Sequence, residues 1–207
     1  MDLALDGFPT KDYKIEHEEH EMEPYYVYIL CDLSGSMTGQ KVEQLQRALI
    51  VLAEALNSAG IKFKIAGYSG PRTSYAFIDS VDSFYPIKVE DQLTVNDREI
   101  MGALCKYPNS STPTGRALFA ILEHIKSQPI NKKLVLLLTD GGATDNECDY
   151  VLKQYRQENI LVIGVAIGGV KDLEAVQKTT KLKLCFLCDD PSYLLTNLRS
   201  ILFEYFT

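Results

Sequence analysis

Three stretches of the chain are apolar without interruption and rich in β-branched and aromatic residues. They are Tyr25-Tyr26-Val27-Tyr28-Ile29-Leu30-Cys31, Leu134-Val135-Leu136-Leu137-Leu138 and the run from Ile160 to Ile167. A strand with water on one face alternates apolar and polar residues. A strand that does not alternate is covered on both faces, as in parallel sheets flanked by helices. Between and after these runs the apolar spacing changes to three and four. Val42, Leu45, Leu49, Leu52, Ala53 and Leu56 share one helical face; Leu118, Ile121, Leu122 and Ile125 another; Leu195, Leu198, Ile201, Leu202 and Tyr205 a third. Buried strands alternating with amphipathic helices imply an α/β fold: a doubly wound, mostly parallel sheet with helices on both faces.

The weaker signals complete that outline. Ile61–Tyr68 and Leu182–Leu187 read as further strands, and Tyr75–Ile78 as a short antiparallel strand at the sheet edge. Gly60 is a natural helix stop. Residues 80–113 are the least patterned, with short helices expected near Asp91 and from Arg98 to Lys106. Gly115–Ser127, a helix capped by Asp145 and running through Gln157, Leu173–Lys178 and Ser192–Phe206 complete the helices. Lys133–Thr139 is the strand that contains the leucine-rich run.

The 207 residues are enough for one well-filled domain, and the 46% apolar and 24% charged composition is that of a water-soluble globular chain. The net charge of −7 is unevenly placed. Residues 1–24 hold eight acids and two bases, whereas the remainder is nearly neutral. We expect an acidic arm over 1–24, flexible or loosely packed, and a folded domain over 25–207. Neither part offers the basic surface that a phosphate backbone requires, so nucleic acid is not an expected ligand. No apolar run approaches the ~20 residues of a membrane span, and no basic segment precedes an apolar one at the start. The expected location is cytoplasmic. Five scattered cysteines fit reduced thiols better than a disulfide framework, with Cys31 and Cys105 read as small core fillers.

In an open α/β sheet, ligands bind beyond the carboxyl ends of the strands, where chain direction switches. The first such loop reads Asp32-Leu33-Ser34-Gly35-Ser36, with oxygen-bearing side chains at alternate positions. The second begins Thr139-Asp140-Gly141-Gly142, and between them Ser110-Ser111-Thr112-Pro113-Thr114-Gly115 precedes a helix. Carboxylates with hydroxyls form a hard, oxygen-only donor set suited to Mg2+. An isolated Asp-x-Ser-x-Ser is more often a simple turn. The combination of three strand-end segments carries the weight.

That combination resembles the metal-ion-dependent adhesion site of von Willebrand factor A domains: Asp32-x-Ser34-x-Ser36, a Thr loop before Gly115-Arg116-Ala117-Leu118, and Asp140-Gly141 after a Leu/Val strand. The resemblance covers Tyr25 to the end of the chain. It implies a metal cluster of Asp32, Ser34, Ser36, Thr112 and Asp140. Ser110-Ser111 stand where the family often has glycines, so Thr114 stays open beside Thr112. The implied cofactor is Mg2+, with Mn2+ or Ca2+ as alternatives, and an open coordination position would take a partner's Asp or Glu.

The resemblance further implies a non-enzymatic interaction module of the bacterial or phage intracellular type. Thr139 to Asp145 is similar to tellurium-resistance and stress-response proteins. Asn96-Asp97-x-Glu99 and Glu158-Asn159-Ile160 are similar to cobalt or magnesium chelatase subunits, which work with AAA+ ATPases. The partner would then be such an ATPase or a stress-response protein. The competing class is a metal-dependent hydrolase or phosphotransferase; an aspartyl-phosphate enzyme, however, needs an Asp where Ser34 stands. His17-Glu18-Glu19-His20 and Cys185-x-x-Cys188 lack zinc-site spacing, Asp97 and Glu99 read as solvated charges, and Glu19 or Glu21 of the arm could plug the site in cis.

Overall fold

The computed structural model describes residues 24–70, 83–88, 92–107 and 110–206. Among the described residues, six strands form one sheet: β1 (Tyr25–Asp32), β2 (Lys62–Ser69), β3 (Ser83–Lys88), β4 (Lys132–Thr139), β5 (Ile160–Ile167) and β6 (Cys185–Cys188). Their order is β3-β2-β1-β4-β5-β6, and every pairing is parallel except β2 with β3. The α-helices of the described residues surround it: α1 (Gln40–Ser58), α2 (Val95–Gly102), α3 (Thr114–Lys126), α4 (Cys148–Gln157), α5 (Val170–Thr180) and α6 (Pro191–Phe206).

The unbroken apolar runs are central strands because successive side chains enter two different cores. Val27, Ile29 and Cys31 of β1 join Leu134, Leu136 and Leu138 of β4 beneath α1 and α6. Tyr26, Tyr28 and Leu30 join Val135 and Leu137 beneath α3 and α4. Each large apolar side chain so buried contributes ~1.5–3 kcal/mol against exposure, which is why neither face can carry polar residues. α1 fills the first core with Val42, Leu45, Leu49, Leu52 and Leu56, and α3 the second with Leu118, Ile121, Leu122 and Ile125.

Four expectations are corrected. The antiparallel edge strand is Ser83–Lys88, inside the stretch read as unpatterned; Tyr75–Ile78 lies outside the described residues, as do residues 1–23 of the acidic arm with His17 and His20. Pro86 interrupts the alternation of that strand, which sits at the sheet edge where a missing N–H is tolerated. Asp145 does not cap the helix that follows it, since α4 begins at Cys148 after Glu147. Asp97 is buried rather than solvated, because it forms a capping box with Thr94 at the start of α2. Cys105 is exposed, whereas Cys31 is fully buried in the core.

Candidate metal centre

Strand order reverses between β1 and β4, since the chain steps outward from β1 through β2 to β3 and from β4 through β5 to β6. Helices leaving the two strands go to opposite faces, and a crevice opens at their carboxyl ends. Cys31 pairs with Leu138, so the next residues, Asp32 and Thr139, emerge side by side. The Thr139 hydroxyl donates to Asp32 Oδ2 at 2.6 Å and accepts the Gly141 N–H at 3.1 Å. Ser34 N–H donates to Asp32 Oδ1 at 2.8 Å. Both Asp32 oxygens are thus engaged and the residue is fully buried. Burial pushes its pKa up to about 6, while hydrogen bonds from Thr139 and Ser34 pull it down and Asp140 adds a smaller upward push.

The other donors lie above this pair. Ser34 Oγ stands 3.0 Å from Ser36 Oγ, and the Ser36 hydroxyl donates to Asp140 Oδ1 at 3.1 Å. The second oxygen of Asp140 accepts from Lys41 Nζ at 2.8 Å. Lys41 also donates to Asp172 Oδ1 at 2.7 Å. Burial opposes the Lys41 charge, yet the bonds to Asp140 and Asp172 raise its pKa. Burial likewise opposes Asp172, which the Gly169 N–H and Lys41 hold below the usual carboxylate value. Sequence reading missed Lys41 and Asp172, because nothing in their spacing links them to Asp140; α1 and α5 bring them together.

Three backbone hydrogen bonds hold the middle loop at the same rim. Gly35 N–H donates to Ser110 O at 3.1 Å, Gly70 N–H to Ser111 O at 2.8 Å and Thr144 N–H to Thr112 O at 2.9 Å. The loops after β1, β2 and β4 each grip one residue of it. Thr112 is buried at this junction, while the Thr114 hydroxyl lies 2.9 Å from Tyr68 OH. Asp145 then accepts from Gly115 N–H and Arg116 N–H, both at 3.0 Å, and caps α3 from another loop. A Cβ on Gly141 would meet Val176 N at 2.3 Å, so only glycine, here at φ +89°, lets the chain turn past α5 after Asp140.

Three of the donors, Ser34 Oγ, Ser36 Oγ and Asp140 Oδ1, are spaced as neighbouring ligands of a small divalent cation would be. An octahedral ion with oxygens at ~2.1 Å places neighbouring ligands ~3.0 Å apart. The Ser34–Ser36 and Ser36–Asp140 spacings of 3.0 and 3.1 Å are of that size. The Cys185-x-x-Cys188 pair cannot share an ion in this way. Cys185 packs with the core under α3 and α4, and Cys188 with the core on the other face of the sheet.

A doubly wound sheet with oxygen donors of two loops meeting at its switch point, and a third loop held against them by backbone hydrogen bonds, defines a class of α/β ligand-binding domain. The chain belongs to the von Willebrand factor type A domain family, whose model matches residues 27–199. It is 27% identical over 184 residues to a von Willebrand factor A domain-containing protein of Dictyostelium discoideum. That match covers 86% of this chain and 18% of the relative, so the chain spans under a fifth of that relative's length. Among solved structures, it is similar to the pilus adhesin SpaC of Lactobacillus rhamnosus GG, with a TM-score of 0.63, 15% identity and coverage of 90% of this chain and 31% of that one. It is also similar to manganese-loaded TRAP of Plasmodium vivax, with a TM-score of 0.62, 16% identity and coverage of 85% and 72%. At these identities the likeness establishes the shared fold. Domains of this family commonly mediate metal-dependent protein–protein interaction.

Proposed function

We propose that this chain is a metal-dependent protein-interaction module. In this reading Asp32, Ser34, Ser36, Thr112 and Asp140 hold one divalent cation, Mg2+ or Mn2+, at the rim above β1 and β4. The observation that carries it is the run of Ser34 Oγ, Ser36 Oγ and Asp140 Oδ1 at octahedral-edge spacing. Thr112 is preferred to Thr114 because the Thr114 hydroxyl is taken by Tyr68. The cation would supply a charged vertex for an acidic side chain of a partner, because two protein carboxylates roughly neutralise it and leave an incoming carboxylate attracted to the ion. The manganese-loaded Plasmodium vivax TRAP supports the same chemistry on this fold.

Asp32 supports binding over phosphoryl transfer. Both its oxygens accept hydrogen bonds and it is fully buried, the opposite of an exposed nucleophile. In this reading it contributes its negative charge to the cation site and also orients the loop through Ser34 and Thr139. All five cysteines are unpaired, which supports a reducing, cytoplasmic setting. Among the described residues no helix is long and apolar enough to cross a membrane. We read the domain as an accessory or regulatory subunit of an intracellular complex, beside an AAA+ ATPase or in a stress-response assembly.

The test is water-proton relaxation in a titration of the metal-free chain with Mn2+. Wild type should bind one ion with raised relaxivity, and added acetate should lower that relaxivity by displacing bound water. Ser36→Ala and Asp140→Ala should lose both signals. Absence of Mn2+ binding by the wild type, or binding that both variants retain, would overturn the reading.

A further inference from the structure

Lys41, the second residue of α1, is held in a three-sided slot beside the metal centre. Its ammonium donates to Asp140 Oδ2 at 2.8 Å and to Asp172 Oδ1 at 2.7 Å, with the lysine side chain 30% exposed and Asp140 only 4%. Asp172 is itself fixed, since its other oxygen accepts the Gly169 N–H at 2.7 Å. The third side is Gly168, at φ +120°, where a Cβ would lie 2.2 Å from Asp172 Oδ2 and 3.2 Å from Lys41 Cε. The missing side chain there is what admits both the carboxylate and the lysine stem. The ammonium is therefore held between the loop after β4 and α5, while its stem passes Gly168 of the loop after β5, well away in sequence from the Asp32–Ser36 loop.

The consequence falls on Asp140. One of its oxygens faces Ser36 at 3.1 Å and the other is occupied by Lys41. A carboxylate so divided has a single oxygen to offer a cation. Mg2+ and Mn2+ are satisfied by six oxygens in a compact octahedron, whereas Ca2+ gathers six to eight and commonly takes carboxylates through both oxygens.

We propose that Lys41 is a specificity-determining residue, which excludes Ca2+ in favour of smaller six-coordinate cations by withholding one oxygen of Asp140. This rests on the reading of the rim as a divalent-cation site. The fixed positive charge also repels every divalent ion. That effect is the same for ions of equal charge and cancels in the ratio of two affinities, whereas the withheld oxygen does not.

The test is calorimetric titration of the chelator-stripped full chain with MgCl2 and, separately, CaCl2. The proteins compared are wild type, Lys41→Met, Lys41→Gln and Lys41→Arg. Met removes the donor; Gln, one atom too short to reach Asp140, removes the contact while keeping a hydrated polar head that tolerates the half-exposed position. Arg keeps both charge and reach. Thermal unfolding in chelator checks each variant's fold, and either Met or Gln suffices if the other is unfolded. We expect the Ca2+/Mg2+ affinity ratio to rise about tenfold in Met and Gln and to stay within about threefold of wild type in Arg. An unchanged ratio in Met and Gln, with both affinities rising together, would overturn the proposal and leave Lys41 as a point charge alone, while the metal site itself would stand. A wild type that binds neither ion would overturn the proposal and the functional reading beneath it.

Discussion

The Thr139 hydroxyl bridges the carboxyl ends of the two central strands, donating to Asp32 Oδ2 at 2.6 Å while accepting the Gly141 N–H at 3.1 Å. One side chain thereby fixes both the buried acid of the first loop and the turn that aims Asp140. Thr139→Val keeps the shape and removes the hydroxyl, leaving a buried carboxylate and a backbone N–H each short of a partner. It should destabilise the domain by about 1–3 kcal/mol. Urea unfolding should show a lower midpoint at unchanged slope, and Thr139→Ser should restore most of the loss.

Asp32 carries a pH signature of the metal-free protein. Burial raises its folded-state pKa from 3.8 to about 6, so the folded chain holds the proton more readily than the unfolded one. Stability contributed by this group is full below about 4 and declines as pH rises toward 6. Asp32→Asn lacks that decline. In chelator at pH 7.5 it should be at least as stable as wild type, by up to about 1–3 kcal/mol. It should also show no gain in melting temperature on adding Mg2+, whereas wild type should gain. Paired thermal melts with and without Mg2+ check both statements.

The start of α3 depends on a distant acid. Asp145→Ala removes the acceptor for Gly115 N–H and Arg116 N–H and should lower stability by about 1–2 kcal/mol. Gly115→Ala should also destabilise, by about 1–3 kcal/mol, although alanine is the better helix former. Its Cβ would lie 2.6 Å from Cys148 N and 2.8 Å from Glu147 C, where α4 approaches by its backbone and cannot yield. Chemical denaturation of both variants measures these losses.

His124 gives a second pH dependence away from the rim. Its Nε2 lies 2.9 Å from Tyr26 OH, and burial, then the charge of Lys64, lowers its pKa from 6.5. The folded chain therefore takes up this proton less readily than the unfolded chain. The contribution is intact above about 6.5 and is lost as pH falls below it. Between pH 7.5 and 5.5 the denaturation midpoint of wild type should fall more steeply than that of His124→Gln. Parallel slopes would show that His124 takes up its proton equally readily in the folded and unfolded chain.

What the linear chain determined is periodicity and order. Runs such as Tyr25–Cys31 and Ile160–Ile167 suit strands covered on both faces, and the helical spacing of Val42 to Leu56 suits a helix laid on one of those faces. Doubly wound topology then placed Asp32 and Asp140 at one edge, because a parallel sheet sends every strand's carboxyl end to the same side. The tertiary structure decided contacts between distant segments whose local sequence is unremarked. Asp145 caps α3 instead of the helix beside it because the β4–α4 loop passes under Gly115. Ser83–Lys88 is a strand because β2 offers it an open edge, even though Pro86 breaks its pattern. Lys41 and Asp172 join the rim only because α1 and α5 converge over Gly168. Local spacing encodes which face of an element is apolar; the meeting of charges separated by a hundred residues or so is set by packing, since only the folded core brings their backbones within reach.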